Sequence, residues 1–296
     1  MKTQSESRIH ERYLRHTKKF PNVWCAGCGI GIVLGAIIRA VDALGLDKND
    51  IAMVSGIGCT GRMPVYVDFN TLHTTHGRAL AFATGLKLAR PEMKVIVVMG
   101  DGDALAIGGN HFIHAARRNI GLTTIVVNNA TYGMTGGQYS PTTPPGALST
   151  TAPYGHIEPP FQIAELAQCA GAAFVARSTV YHVDELQEYI ARALQKEGFS
   201  LVEAISYCHT TIGRLNRWGT APEMMRRLKE DSVTLKQAER MGPEERAGKI
   251  IRGVLADRDD LTEYTRRYHE EVVLRAQEGI RWSGPKSELP VRAVRE

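Results

Sequence analysis

The chain has 296 residues, of which 43% are hydrophobic and 23% are charged, so it can build one large globular domain or two modest ones. The net charge of +5 is spread along the chain, and basic residues do not alternate with aromatic ones, which argues against nucleic-acid binding and allows only a weak attraction to an acidic partner. Residues 1–20 lack the apolar core of a secretory signal and no apolar run reaches the length of a membrane span, so we expect a cytoplasmic protein that does not enter the membrane.

Strand and helix patterns alternate along most of the chain. Five apolar runs rich in β-branched residues predict strands at residues 51–57, 94–99, 122–127, 173–177 and 200–206. Segments with helical patterns precede or separate them at residues 31–44, 79–89, 104–119, 161–171 and 183–197. This alternation is typical of an α/β fold in which helices cover both faces of a parallel sheet.

Three segments fall outside this alternation. Residues 1–22 are polar and charged, and we expect them to form an N-terminal arm on the surface of the domain or on a partner. The loop from Tyr139 to Pro160 is too long for a simple connection, which indicates a functional or interface loop. From about residue 213 the sequence becomes charged and helical. We therefore predict an α/β domain over residues 23–212 and a helical C-terminal extension over residues 213–296.

The strongest chemical signal lies at the ends of two of the predicted strands. One strand ends at Gly100-Asp101-Gly102-Asp103, and the next ends at Asn128-Asn129. Because the carboxyl ends of parallel strands meet at one edge of the sheet, and ligands bind at that edge in open α/β sheets, these polar clusters predict a binding site.

The residue types at this edge suit a magnesium ion that anchors a diphosphate. Asp101 offers a carboxylate oxygen, Asn129 an amide oxygen and Thr131 a backbone carbonyl, with water or phosphate completing the shell. The glycines beside Asp101 let the backbone approach a ligand closely. A GDG sequence alone is weak evidence, but GDG followed by NN, with 26 residues between Gly102 and Asn129, is the thiamine diphosphate signature. The alternative is a tight turn and an Asx-turn that bind nothing.

Four of the five cysteines are expected at the same edge. Cys25 and Cys28 form a CxxC in a glycine-rich loop, and Cys59 and Cys208 each follow a predicted strand. Four converging thiolates would hold a 4Fe–4S cluster. A zinc site, a redox-active CxxC pair, and buried cysteines acting only as small hydrophobic residues are the alternatives. Cys169 lies in an apolar helical pattern and is predicted to be part of the core.

Six motifs taken together resemble the β subunit of 2-oxoacid:ferredoxin oxidoreductases. They occur in order between about residues 20 and 215, as CAGCG, GIGCTGR, HTTHGR, GDGDALAIGGNHFIHAARRN, NNATYGMTGGQ and VEAISYC. The later segment GKIIRGVLADRDDLTEY is similar to the 2-oxoglutarate branch of that family. The resemblance implies a thiamine diphosphate-binding fold of the diphosphate type, and an enzyme that oxidatively decarboxylates 2-oxoglutarate with coenzyme A to succinyl-CoA and CO₂ and passes electrons to ferredoxin.

The resemblance also implies the cofactors and the residues that bind them. Thiamine diphosphate, Mg²⁺ and one 4Fe–4S cluster are expected. Asp101, Asn129 and the carbonyl of Thr131 would bind Mg²⁺. The cluster ligands would be Cys25, Cys28, Cys59 and Cys208. The residues expected to contact the organic cofactor are Gly58, Cys59, Thr60, His76, Gly102, Asp103, Gly133 and Met134.

Two residues are expected to act in the reaction itself. His76, in HTTHGR, would contact the cofactor, although a histidine before a helix can also simply cap or pack. Arg62 lies three residues after Cys59, so its guanidinium could pair with a carboxylate of the 2-oxoacid. The alternatives for Arg62 are a surface charge and a contact to the phosphates of coenzyme A.

Thiamine chemistry also requires a protein carboxylate that contacts the pyrimidine ring of the cofactor, and the sequence has no second α/β domain to provide it. We therefore expect an α subunit that supplies the pyrimidine-binding domain and the catalytic glutamate. Three other functions remain open at this point: the same chemistry on pyruvate or a branched-chain 2-oxoacid, a non-oxidative decarboxylase subunit without iron, and a zinc-stabilised, non-catalytic interaction subunit.

Overall fold

A single large sheet organises the chain in the computed structural model, which describes residues 9–17 and 21–277. Its strands are β1 (Ile51–Ser55), β2 (Asn70–His73), β3 (Lys94–Gly100), β4 (Leu122–Asn128), β7 (Phe174–Thr179), β8 (Ser200–Ile205), β9 (Ser232–Thr234) and β10 (Ile250–Asp257). They lie in the order β2-β1-β3-β4-β8-β7-β10-β9. The first six of these are mutually parallel, whereas β10 is antiparallel to β7. A separate antiparallel pair is formed by β5 (Thr131–Tyr132) and β6 (Gln138–Tyr139).

Helices cover both faces of this sheet. The helices are α1 (Ile30–Ala43), α2 (Ala79–Ala89), α3 (Asp101–Leu105), α4 (Gly109–Arg118), α5 (Ile163–Ala170), α6 (Val183–Gln195), α7 (Ile212–Leu215), α8 (Ala221–Glu230), α9 (Leu235–Ala238), α10 (Pro243–Arg246), α11 (Tyr264–Tyr268) and α12 (Leu274–Gln277). Two short 3-10 segments, Lys48–Asp50 and Thr60–Val65, and a π-helical turn, His269–Val273, are also present.

The hydrophobic core has two layers because successive strand residues point to opposite faces. On one face, Ile96 and Val98 of β3 pack with residues of α1 and α6. On the other face, Val95 and Val97 pack with residues of α2, α4 and α5. The expected α/β fold, with a mostly parallel sheet covered on both faces, is therefore confirmed.

The C-terminal extension contains two strands that the sequence analysis did not predict. Strand β9 pairs with β10, and β10 pairs with β7 and so joins the main sheet. The run Ile250–Asp257 is interrupted by Arg252 and Gly253, which hid its strand character. In the structure Arg252 forms an ion pair with Glu185 of α6 at 2.6 Å, which explains how a charged residue is accommodated there.

Part of the predicted N-terminal arm packs on the domain. Tyr13 is fully buried, and the Arg15 side chain donates to the carbonyl of Val67 at 2.9 Å and to the hydroxyl of Thr71 at 2.8 Å. The rest of the arm, residues 1–8 and 18–20, and the end of the extension, residues 278–296, lie outside the described residues. In the part of the chain that the structure describes, no helix is long and apolar enough to cross a membrane.

Candidate active site

A cavity of about 480 Å³ opens where β1, β3 and β4 end. It is lined by Ile57, Gly58, Cys59, Thr60, His76, Gly100, Asp101, Gly102, Asp103, Asn129, Thr131, Tyr132, Gly133, Met134, Thr135 and Gln138. Every residue predicted to contact the organic cofactor or Mg²⁺ is in this set. The sequence argument that these motifs share one sheet edge therefore agrees with the observed geometry.

Three oxygen donors converge on one side of the cavity. Asp101 follows β3 directly and is 1% exposed, while Asn129 follows β4 and Thr131 begins β5. One terminal atom of the Asn129 amide lies 2.9 Å from the carbonyl oxygen of Thr131 and 3.1 Å from Oδ1 of Asp101. If that atom is nitrogen it donates to both. A half-turn of the amide would instead place its oxygen beside Oδ1 of Asp101, as a shared metal ion requires.

This donor set fits a hard divalent cation. Burial raises the pKa of Asp101, while the hydroxyls of Ser140 and Thr142 oppose that rise. A cation beside Oδ1 would favour the ionised carboxylate. One carboxylate with two neutral oxygens leaves positions for phosphate and water, as Mg²⁺ prefers.

The backbone beside the oxygen donors leaves room for a ligand. Gly58 has φ = +125° and no atom near the position of a Cβ, so this turn requires glycine and leaves open space. At Gly102 a Cβ would overlap the ring of Tyr132, whose hydroxyl donates to the Gly102 carbonyl at 3.2 Å. The glycines in GIGC and GDG are therefore needed for the shape of the cavity.

His76 is held against a buried carboxylate. Its Nδ1 lies 2.6 Å from Oδ1 of Asp103, in close contact but without the alignment of a hydrogen bond. Asp103 also accepts from the backbone N–H of Gly77 at 2.6 Å and of Ile57 at 3.3 Å. Burial raises the pKa of Asp103, and the Gly77 and Ile57 hydrogen bonds oppose this rise. His76 thus has a fixed position at the cavity wall.

The four predicted ligand cysteines lie together behind the same wall. The sulfur atoms of Cys25 and Cys208 are each 3.6 Å from the hydroxyl of Thr210. A Cβ placed on Gly133 would lie 3.4 Å from Sγ of Cys208 and 3.7 Å from Sγ of Cys59. Burial raises the pKa of Cys28 to about 11, and the nearby thiols of Cys208, Cys59 and Cys25 raise it further.

The four thiols suit either of two metal centres. A single zinc ion and a 4Fe–4S cluster are both bound by four cysteine thiolates. All four cysteines are free of disulfide bonds.

Two predicted residues are placed differently from expectation. Cys169 is exposed on α5, so the prediction that it belongs to the core is wrong. The buried face of α5 carries Ile163, Ala164 and Ala167, and Cys169 lies outside it. Arg62 is exposed on the 3-10 segment after Cys59 and does not line the cavity, so its role in substrate binding stays a prediction.

Sequence reasoning missed two residues that touch the predicted magnesium ligand. Ser140 and Thr142, from the long loop after β6, both bond to Asp101. The only available signal was the unusual length and the Ser/Thr content of that loop.

The chain is similar to known proteins over most of its length. Residues 51–204, from β1 into β8, match the family described as thiamine pyrophosphate enzyme, C-terminal TPP binding domain. The chain is 54% identical over 246 residues to the 2-oxoglutarate synthase subunit KorB of Methanothermobacter marburgensis, covering 83% of this chain and 86% of that protein. It is 60% identical over 198 residues to the KorB subunit of Archaeoglobus fulgidus, covering 67% of this chain and 73% of that protein.

A solved structure shows the same fold. The 2-oxoglutarate:ferredoxin oxidoreductase from Magnetococcus marinus, with 2-oxoglutarate, coenzyme A and succinyl-CoA bound, superposes with a TM-score of 0.79 at 32% identity. The match covers 94% of this chain and 93% of that one. The resemblance inferred from the motifs is thus confirmed, and the chain belongs to the thiamine pyrophosphate enzyme family and, within it, to the family of 2-oxoglutarate synthase KorB subunits.

Proposed function

We propose that this chain is the β subunit of an enzyme that oxidatively decarboxylates 2-oxoglutarate with coenzyme A, giving succinyl-CoA and CO₂ and passing electrons through a 4Fe–4S cluster to ferredoxin. Relatives named for 2-oxoglutarate synthase support this, as does a neighbour whose structure holds 2-oxoglutarate, coenzyme A and succinyl-CoA.

One observation carries the proposal: the cavity lies directly beside the four cysteines predicted to bind the cluster. Gly133 lines the cavity, and the sulfur atoms of Cys59 and Cys208 lie directly behind it. A reaction in the cavity that releases electrons would therefore have an acceptor next to it. A non-oxidative decarboxylase needs no such neighbour.

The oxygen donors would hold the cofactor by its diphosphate. Asp101, Asn129 and the Thr131 carbonyl would bind Mg²⁺, and Gly58, Thr60 and Gly102 would contact the cofactor. When bound, thiamine diphosphate supplies the nucleophilic carbon and the electron sink that decarboxylation needs. The chain's own role is to bind and orient it and to exclude water.

His76 and Met134 would contact thiamine diphosphate away from its diphosphate, at the end of the cofactor that reacts. The Asp103 carboxylate, 2.6 Å from Nδ1 of His76, would help to orient the ring at the cavity wall. Met134, 40% exposed at the cavity rim, would form an adaptable apolar wall.

Cys25, Cys28, Cys59 and Cys208 would be the cluster ligands. Because burial raises the pKa of Cys28 to about 11, its thiol must lose a proton when the cluster binds.

An α subunit would complete the site with the pyrimidine-binding domain and the catalytic glutamate. The loop after β6 supports a partner on this side, because Tyr154 is 100% exposed, Ile157 91% and Phe161 50%. Apolar side chains exposed to this degree are typical of interaction sites. Ferredoxin is the expected electron acceptor, and the cytoplasmic location stays a prediction.

The test is anaerobic purification with the partner chain, followed by metal analysis and electron paramagnetic resonance after dithionite reduction. We expect iron and sulfide with a reduced-cluster signal and bound thiamine diphosphate. Zinc without thiamine diphosphate would indicate the interaction subunit, and thiamine diphosphate without iron would indicate a decarboxylase.

The substrate is tested by comparing 2-oxoglutarate, pyruvate and 2-oxoisovalerate in the wild type and in Arg62→Met. If Arg62 pairs with the distal carboxylate, losing that charged contact costs about 1.5–3 kcal/mol, or about one to two orders of magnitude in kcat/KM, for 2-oxoglutarate alone. Arg118→Met, which removes an exposed arginine at the end of α4, is the control. An equal loss on all three substrates would assign Arg62 to the shared carboxylate, and no loss would remove it from the site.

A further inference from the structure

The two oxygens of Asp101 have different surroundings. Oδ1 lies 3.1 Å from a terminal atom of the Asn129 amide in the cavity wall. Oδ2 points away and accepts hydrogen bonds from the Ser140 hydroxyl at 2.5 Å and the Thr142 hydroxyl at 2.7 Å. Ser140 is fully buried and Thr142 is 8% exposed, so water does not replace these bonds.

The hydroxyl pair is itself fixed in position. Thr142 Oγ1 also lies 2.9 Å from Oδ1 of Asn128, so one hydroxyl proton serves two acceptors. The amide nitrogen of Asn128 donates to Glu203 at 2.9 Å, and Glu203 accepts from Nε of Arg177 at 2.7 Å. A buried polar network that crosses three strands of the sheet therefore determines how Thr142 meets Asp101.

We propose that Ser140 and Thr142 are positioning residues that occupy Oδ2 of Asp101, so that the carboxylate offers only Oδ1 to the cation and the site favours Mg²⁺ over Ca²⁺. The proposal rests on the function proposed above, because it concerns the ion that anchors the diphosphate. The hydroxyls touch neither the ion nor the organic cofactor.

The selectivity follows from the coordination habits of the two ions. Ca²⁺ takes six to eight oxygens and often binds both oxygens of one carboxylate, whereas Mg²⁺ requires near-octahedral geometry with single-oxygen ligands. A carboxylate whose second oxygen is held by two buried hydroxyls cannot turn to bind in the two-oxygen mode. The residue pair thus disfavours the larger ion without contacting it.

The test measures binding of Mg²⁺ and of Ca²⁺ by isothermal titration, using the full complex with its partner chain, stripped of metal by a chelator and supplied with thiamine diphosphate. In Ser140→Ala/Thr142→Val we expect Mg²⁺ affinity to fall by about 10–100-fold, the usual effect of losing partners of a metal ligand. Ca²⁺ affinity should fall much less, so that the preference for Mg²⁺ shrinks by roughly tenfold or more.

Two further variants separate positioning from a general loss of packing. Ser149→Ala removes another buried hydroxyl of the same loop, which accepts from the backbone N–H of Ala152 at 2.9 Å rather than bonding to Asp101 or Ser140, and should leave the preference unchanged. Thr142→Ser keeps the hydroxyl and should preserve the wild-type preference. If the double variant does not fold, Ser140→Ala alone should give a smaller shift in the same direction.

Two results would overturn this inference while leaving the proposed function intact. One is an equal loss of affinity for Mg²⁺ and Ca²⁺, and the other is an unchanged preference for Mg²⁺ in the variants that lack a hydroxyl bonded to Asp101. If the wild-type complex binds thiamine diphosphate with neither ion, the proposed function fails as well.

Discussion

Replacing Arg177 should destabilise the protein far more than replacing an exposed arginine. Arg177 is 8% exposed in strand β7 and pairs with Glu203 at 2.7 Å and with Glu165 at 2.5 Å. Glu203 is only 2% exposed, whereas Glu165 is 44% exposed and can return to water. In Arg177→Met the buried Glu203 carboxylate would therefore keep only the Asn128 amide as a partner.

The expected magnitude follows from that uncompensated charge. Removing one partner of a buried ion pair costs about 3–5 kcal/mol. At roughly 2–4 °C per kcal/mol for a chain of this size, the melting temperature should fall by about 6–20 °C. The matched control is Arg267→Met, because Arg267 pairs with Glu271 at 2.9 Å on an exposed helix, where such a pair contributes about 0.3–0.5 kcal/mol.

Thermal unfolding of the two variants and the wild type in one buffer at pH 7, followed by circular dichroism, tests this reasoning. The double variant Arg177→Met/Glu203→Leu should recover part of the loss, because it removes both charges together. If Arg177→Met melts within 2 °C of Arg267→Met, the buried pair does not have the stabilising role assigned to it.

Three other predictions follow from the site and the sheet edge. Asp101→Ala should abolish activity and thiamine diphosphate binding in the complex while iron content stays unchanged, and unchanged cofactor affinity in isothermal titration would argue against Asp101 as a magnesium ligand. The Cys208→Ala variant should lose the cluster, whereas Cys169→Ala should keep it. Full iron and sulfide content in both variants would show that Cys208 is not a cluster ligand. The Lys196 and Arg192 side chains lower the pKa of Asp257, so its stabilising effect should be complete above about pH 4 and disappear as pH falls through the folded-state pKa. The difference in melting temperature between wild type and Asp257→Asn should therefore shrink in acid, and a constant difference from pH 7 to pH 2.5 would contradict this.

The central strands and the location of the cavity could be predicted because local patterns determine them. Apolar runs such as Leu122–Val127 are buried on both faces, and each ends where polar residues begin, so the sheet edge could be located from the sequence. The glycines of GDG were predicted to allow close approach to a ligand, whereas the observed neighbour of Gly102 is the Tyr132 ring.

Contacts between distant segments could not be predicted in this way. The bond from Thr142 to Asp101 depends on the path of a loop whose start is separated from Asp101 by a helix, a strand and a hairpin. Cys169 was misplaced because α5 is apolar on more than its buried face, so composition alone did not distinguish the two sides. Strand β10 was missed because Arg252 and Gly253 interrupt its apolar run, and the ion pair that accommodates Arg252 comes from a distant helix.

Strand β10 has a consequence for the order in which the protein is completed during synthesis. It pairs with the edge of β7, yet it ends 78 positions after β7 does. At about 5–20 residues per second, a ribosome needs roughly 4–16 s to make that stretch. During this interval the edge of β7 has no partner from β10, and an open edge is a template for pairing with another chain. The nascent chain is therefore most exposed to aggregation after its cofactor-binding motifs have been made and before its last strand is in place.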